Sequence, residues 1–524
     1  MTTLYIEDLK LGLDTRRSRT TAEPGSLRVL DNLVITNGGE AQKRKAFVKV
    51  LTLPAGTKGL VGTNLGPTAA GAILAGALAL QSFPAGASEL FVFGLAPEAS
   101  PSVLVDSRFL TSGPPSGGGL IANLTAATGE IVPVTLAALT ENSSFPTLVR
   151  VLSVIEYGAQ QFFVVGVCEK IDGTLGLFNW WAGALVFSLA GYAPFVAGQK
   201  TYRLLGSVIY FSGVGDPADT YPLNGAGTGP NTMHPGAGFI DTGTLAPESQ
   251  WLVGGQTYFK QTAVFSRKAC LLFQFDPDPS VNALQQVLKI GAVSAGSILQ
   301  FGTGEVLFLS DTGIRSLRVL NASLAAGVID VGSPIDTIIQ AALAADASGG
   351  SLSPAIIEPA TGRYWIAIGN TIYILSYWPS AKINAWNTFT LPFNVDAMCV
   401  SGSRIFIRSG DDIYCYGGLD GTAYDNCVGT LVTPHHHAGT PSAVKDIENI
   451  NVAATGNWSI SLGTSTNNLD FFELAANLAG DTYSIQEVPF AGECTHIAFK
   501  ATTSDAGPSV LGAISVQFRK GLEQ

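Results

Sequence analysis

The residues with the most evident chemical potential are three consecutive histidines, His435, His436 and His437. Successive residues of an extended chain point in different directions, so three adjacent imidazoles seldom converge on one metal ion. The run sits in a Pro- and Gly-punctuated stretch, Thr433–Pro441, and reads as a solvated linker or contact loop. The carboxylate pairs are equally local. Asp276 and Asp278 are separated by a proline and read as a turn, and Asp411–Asp412 reads as a hairpin turn. A glycoside-cleaving pair would need two carboxyl groups roughly 5 to 10 Å apart, and no linear motif here imposes that spacing. Nucleophile-elbow, zinc-protease and phosphate-loop motifs are absent. Six cysteines occur and none forms a C-x-x-C pair. Cys168, Cys270 and Cys399 lie in apolar runs and read as buried thiols, while the even count leaves disulfides open. We therefore expect no catalytic, cofactor or metal residues and no enzymatic activity. Positive charge is concentrated in two N-terminal segments, Arg16, Arg17 and Arg19, and Lys43, Arg44 and Lys45. These either form an ordinary solvated face or dock an acidic partner.

The elements that would carry these residues are strands. Charged residues are only 13% of the 524, hydrophobic ones 46%, and there are 60 glycines and 27 prolines. That composition excludes a disordered chain and a long helical one, and fits many short strands joined by turns. The net charge of −11 argues against a protein that holds nucleic acid by neutralising phosphates. Short β-branched or aromatic runs recur: Leu90–Gly94, Gln161–Val167, Val208–Ser212, Val306–Ser310, Thr371–Ser376 and Arg404–Ser409. Those ending on Ser212, Ser266, Ser310, Ser376 and Ser409 are spaced 33 to 66 residues apart, a loose match to the period of propeller blades. One helix is expected at Ser333–Ala345, opened by Ser, Pro and an early Asp.

No signal peptide is expected at the N-terminus, which lacks an apolar run after its basic residues. The charge-free stretch Gly59–Ser88 has an apolar part, Pro67–Leu80, too short to span a membrane, and is expected in a core or between subunits. Punctuation at Ser112–Gly119 and Thr433–Pro441 suggests boundaries. After the second, Val444–Phe518 alternates like a small β-sandwich.

Three N-terminal segments, Asp8–Arg19, Pro24–Asn32 and Gly38–Phe47, resemble the opening of the tail nozzle proteins of short-tailed bacteriophages, the tail tubular protein B family. Phe308–Leu317, Asp330–Asp336, Gly362–Gly369, Ala385–Phe389 and Arg408–Tyr414 fit the same family. The resemblance is good at the N-terminus and over roughly 300–420, and poor over 60–150. It implies an all-β chain with a β-propeller core of about six blades. The expected organisation is an arm and first propeller strands at 1–60, an inserted region at 61–150, the propeller at 151–432 and a C-terminal β-module at 433–524. It also implies a virion structural protein, assembled in the host cytoplasm into the viral tail. The expected partners are five further copies in a homo-hexamer, the tail adaptor, and a tail fibre or tailspike. DNA would pass through the channel at ejection without specific binding, and no stable membrane insertion or cofactor is expected. Arg16, Arg17, Arg19, Lys43, Arg44 and Lys45 are then candidates for the adaptor contact, outside an acidic or neutral channel wall. The alternative is a glycan-binding or glycan-degrading propeller of a phage.

Overall fold

A computed structural model of the chain describes residues 2–52 save residue 7. It gives the strands but not their connections between 57 and 197, and residues 200–520 apart from 214–236 and short gaps. Side chains are described in the N-terminal arm and from residue 200 onward, with Leu60 between. Ser112–Gly119 and the side chains of Cys168, Trp180 and Trp181 lie outside the described residues.

The chain is all-β, with one α-helix among the described residues, α1 (Asp336–Ala345). It follows a 3-10 turn at Ser333–Ile335, where the sequence places Pro ahead of the helix. No described helix is long and apolar enough to cross a membrane.

Among the described residues six four-stranded antiparallel sheets form along the chain, and a seventh four-stranded antiparallel meander, sixth in order, is part of a larger 11-stranded sheet. The first comprises Thr57–Thr63, Gly76–Ser82, Ser88–Gly94 and Ile131–Thr135, with the hairpin Ser102–Val105 and Ala122–Thr125 between its last two strands. The next four are meanders, beginning at Leu148–Glu156, Tyr192–Ala197, Leu252–Tyr258 and Leu299–Phe301. The sixth is Ala355–Ile357, Tyr364–Ile368, Thr371–Trp378 and Ile383–Thr390. The seventh takes three strands from Ala397–Tyr416 and its fourth, Phe47–Thr52, from the N-terminal end of the chain. The first strand of each sheet lies beside that of the next, and the seventh returns to the first through Ala397–Ser401 and Thr57–Thr63.

In the fourth to sixth sheets the central strands are buried on both faces, so they read as unbroken apolar runs rather than alternations. Tyr364–Ile368 is buried at every position. The strand-ending serines have a physical role. The Ser266 hydroxyl accepts from the Ala269 amide at 2.9 Å, and that of Ser310 accepts from the Thr312 amide at 3.1 Å, closing hairpin turns. Ser266, Ser310 and Ser409 end second strands, whereas Ser212 follows a third strand and Ser376 lies within one. Mixing the two kinds is what makes the spacing irregular.

The last 90 residues form two facing sheets together with the N-terminal arm. Lys445–Thr455 and Val510–Lys520 pair over ten positions and are extended by Thr2–Ile6, Ala41–Lys43 and Leu33–Ile35. Opposite them, Gly429–Val432, Ala498–Thr503, Trp458–Gly463 and Glu473–Leu478 are joined through Val29–Asp31 to the sixth meander. One core cluster spans this junction and includes Leu30, Trp386, Leu431, Ile450, Trp458 and Phe499. The arm is thus a structural member shared by both parts.

Candidate functional site

The arm's basic residues divide into an exposed set and a buried set. Arg16, Arg17 and Arg19 have side chains 43%, 40% and 36% exposed. Arg16 bonds Asp14 at 3.0 Å and donates to the Ser333 hydroxyl at 2.9 Å. Arg17 pairs with Glu23 at 2.8 Å, and Arg19 with Asp470 of the C-terminal part at 2.5 Å. Lys43 and Arg44 require a correction, because both are buried and cannot present charge to a partner. Lys43 alternates inward in its three-residue strand, and its Nζ donates to the carbonyls of Asp425 (2.8 Å) and Asp505. Burial lowers the pKa of its ammonium group. Arg44 donates from Nε to Asn32 Oδ1 at 2.8 Å and pairs with Asp425 at 3.1 Å. Its guanidinium lies 5.1 Å from the Phe47 ring centroid. Lys45 is half-buried, with Nζ on the Gly421 carbonyl at 2.7 Å.

Segments that are far apart in sequence meet around this arm. The Thr15 amide donates to the Pro334 carbonyl at 2.9 Å, and the Asn384 amide to the Lys10 carbonyl at 3.3 Å. Trp386 Nε1 donates to the Val331 carbonyl at 2.9 Å, and Arg363 Nη2 to the Ile35 carbonyl at 3.0 Å. Arg315 makes a two-pronged pair with Asp336 at 2.8 and 2.9 Å, fixing the start of α1 against the fifth meander. Gly12 has a φ of 59° and packs so closely that a Cβ would lie 2.7 Å from Ala385 Cβ.

The histidine run also departs from expectation. His435 and His436 are 1% and 5% exposed, so the run is not a solvated linker. Backbone pairing pulls it inward. The His435 amide donates to the Arg19 carbonyl at 2.7 Å, and His436 exchanges amide bonds with Ile497 at 2.8 and 3.0 Å. Desolvation depresses both imidazoles to about 4, assisted by Arg28 and His496 near the first and by the neighbouring histidines near the second. Among the described residues no three His, Cys, Asp or Glu side chains converge as metal ligands.

A cleft of about 610 Å³ lies where the sixth and seventh meanders adjoin. Asp346, at the end of α1, Asp396, Arg408 and Asp411 line it. Asp396 accepts the Gly410 amide at 2.6 Å, Asp346 accepts the Gly350 amide at 2.8 Å, and Arg408 Nη1 donates to the Gly410 carbonyl at 3.1 Å. Burial lowers the Arg408 pKa, against the pull of Asp396 and Asp411. Sequence reading took Asp411 only as part of a turn and passed over Asp346, Asp396 and Arg408. They are scattered over 66 positions, and only the packing of consecutive meanders collects them. Cys270 and Cys399 are buried free thiols, as their apolar runs suggested, with pKa values raised by desolvation.

No family model and no curated protein matches the chain. Solved structures do. An exo-beta-1,3-galactanase from Phanerochaete chrysosporium matches 70% of this chain and 95% of its own at 10% identity and a TM-score of 0.20. Hsv2 from Kluyvelomyces marxianus matches 53% and 73% at 9% identity and a TM-score of 0.31. The Malassezia sympodialis allergen Mala s 1 matches 51% and 92% at 8% identity and a TM-score of 0.30. The expectation that the chain is not an enzyme is corrected, because it rested on missing linear motifs alone, and a fold can gather carboxylates that no motif announces. At such TM-scores the likenesses assign no activity to this chain.

Proposed function

We propose that the chain is a structural subunit of a short-tailed phage tail, a nozzle ring below the portal and adaptor through which the genome leaves. The observation that carries this reading is the convergence of the resembling segments. Asp8–Arg19, Phe308–Leu317, Asp330–Asp336, Gly362–Gly369 and Ala385–Phe389 are remote in sequence. They are linked by the Thr15–Pro334, Arg16–Ser333, Arg315–Asp336 and Trp386–Val331 bonds and by the Trp365–Phe389 ring contact at 5.4 Å. Family-like motifs that bond one another as a unit are what a shared architecture requires. We read the body as a β-propeller of seven blades rather than six. Support comes from the circuit of neighbouring first strands and from Phe47–Thr52 completing the seventh sheet. Six copies, an adaptor and a fibre or tailspike complete the proposed assembly in the virion, with Arg16, Arg17 and Arg19 as the adaptor-facing charges. DNA slides past an acidic or neutral wall without specific contacts, consistent with 29 basic against 40 acidic residues. Electron microscopy of particles labelled with antibody to this chain tests the reading. Label at the tail, and purified rings with a central channel, are expected. Unlabelled tails overturn it.

A second reading, a phage glycan-binding or glycan-degrading propeller, is favoured by the carboxylate-lined cleft. Release of reducing ends from host surface polysaccharide, lost in Asp396→Asn and Asp411→Asn variants, is its expected outcome. Neither binding nor release from any host polysaccharide overturns it.

A further inference from the structure

We propose that His435 and His436 form an acid-sensitive latch that holds the N-terminal arm against the C-terminal sheets. The geometry has three parts. First, both imidazoles are buried, and His435 Nδ1, His435 Nε2 and His436 Nε2 have no hydrogen-bond partner among the described residues. A buried imidazole in that state is tolerated neutral and strongly disfavoured as a cation. Second, the histidines, with Ala438 and Gly439, line one side of a cavity of about 330 Å³ whose other side is the arm, Thr2–Tyr5 and Thr20–Ala22 with Pro24. Third, the His435 amide is the bond that pins the arm at the Arg19 carbonyl. An imidazole that swings out to water takes this backbone with it.

The surroundings make a proton more disruptive. From the arm, Arg19 and Arg28 face His435, and Tyr5 borders the cavity. From the opposing strand comes His496, itself beside Lys445 and 6.0 Å ring to ring from His437. His437 also faces His436. Asp470 is the one carboxylate among the groups acting on His435, and Arg19 already engages it at 2.5 Å. A charge placed on His435 or His436 therefore meets mainly cations. Because both histidines are depressed well below their ordinary value, the opened arm binds protons that the closed arm refuses. Closure is complete above about pH 6.5 and weakens as pH falls toward 4.

Hydrogen exchange on the full chain, corrected for intrinsic rates, tests the latch. Between pH 6 and 5 the opening equilibrium of Thr2–Ile6 and Thr20–Ser26 should rise about sevenfold if one histidine takes a proton and about fiftyfold if both do. Tyr364–Ile368, in the sixth meander, should keep its protection. A His435→Gln, His436→Gln double variant should hold the arm at pH 5 as at pH 7. Should that variant not fold, histidine ring carbon resonances of the native chain serve instead, and two should titrate well below 6.5 in step with arm release. Flat exchange across the range overturns the proposal. So does release in the double variant on the native pH curve, which assigns the effect to a group other than these two histidines, and so do imidazoles that titrate near 6.5 with the arm closed.

Discussion

Arg16–Arg19 and Lys43–Lys45 carry similar charge on the same arm, and they meet water on very different terms. The first stretch is solvated, and of its partners Glu23 and Asp470 are exposed carboxylates while Asp14 is largely covered. The second contains two cations almost wholly enclosed, each satisfied by carbonyls, an amide oxygen or one carboxylate. The contrast follows from backbone pairing. Ala41–Lys43 pairs with Leu33–Ile35 on one side and Val510–Leu511 on the other, so its alternate side chains have to face the interior. Asp14–Arg19 has no such flanks over its length. Charge density in the sequence is the same signal in both places, and strand pairing decides whether that charge is a surface or a strut.

The largest effect should come from the buried set. Replacing Arg44 with Met leaves Asn32 Oδ1 and the Lys45 carbonyl without this donor and removes the cation paired with Asp425, inside a wall of Phe47 and Phe389. Breaking an enclosed pair on one side costs about 3 to 5 kcal/mol. The half-exposed Asp425 places the expectation near the lower end. Lys43→Met removes the donor shared by the Asp425 and Asp505 carbonyls and should cost about 2 kcal/mol. Urea unfolding reads both. A loss below 1 kcal/mol for Arg44→Met would show that the enclosed cations carry little of the seam.

Next in size is a change that adds only a methyl group. Gly12→Ala forces a side chain onto a left-handed residue and into Ala385 Cβ at 2.7 Å, a contact between two backbone segments that cannot turn aside. About 2 to 3 kcal/mol is expected, together with increased exchange in Gly12–Leu13 and Ser26–Leu27, which pair in parallel. Gly369→Ala, also left-handed but with open space around it, separates conformational strain from crowding and should cost about 1 kcal/mol.

What was legible in the sequence was local. The apolar runs at Val306–Ser310, Thr371–Ser376 and Arg404–Ser409 are strands, and Pro334 marks the entry to α1. The Asp278 turn is closed by its carboxylate accepting the Ser280 amide at 2.9 Å. The alternating C-terminal stretch supplies strands to two sheets. That these sheets are completed by the first 46 residues was not legible. Thr2 pairs with Phe518 and Val29 with Val432, and strand register across such separations leaves no mark on either segment alone. The same applies to the site residues. Neighbouring basic side chains gave no sign of which would be enclosed, and Asp346, Asp396 and Asp411 gave none of lining one cleft. The buried histidines were misread because a polar run between prolines has the composition of a loop, whereas Ile497 and Arg19 pair with it from both sides.

The smallest expected effect closes the contrast from the exposed side. Arg17 spans Asp14 at 3.6 Å and Glu23 at 2.8 Å, with its own side chain and that of Glu23 well exposed. Exposed pairs contribute about 0 to 1 kcal/mol, because water already solvates both charges and the long side chain loses rotamer freedom on pairing. Arg17→Ala should therefore shift unfolding by no more than about 0.5 kcal/mol, and that shift should shrink further in 0.5 M salt. Arg17→Glu adds repulsion from Asp14 and Glu23 and should stay within about 1 kcal/mol. Measured beside Arg44→Met in the same denaturant series, the pair of variants isolates enclosure as the variable. A cost above 2 kcal/mol for Arg17→Ala, unchanged by salt, would mean that the first stretch is itself part of the seam, and the division of the arm into surface and strut would fail.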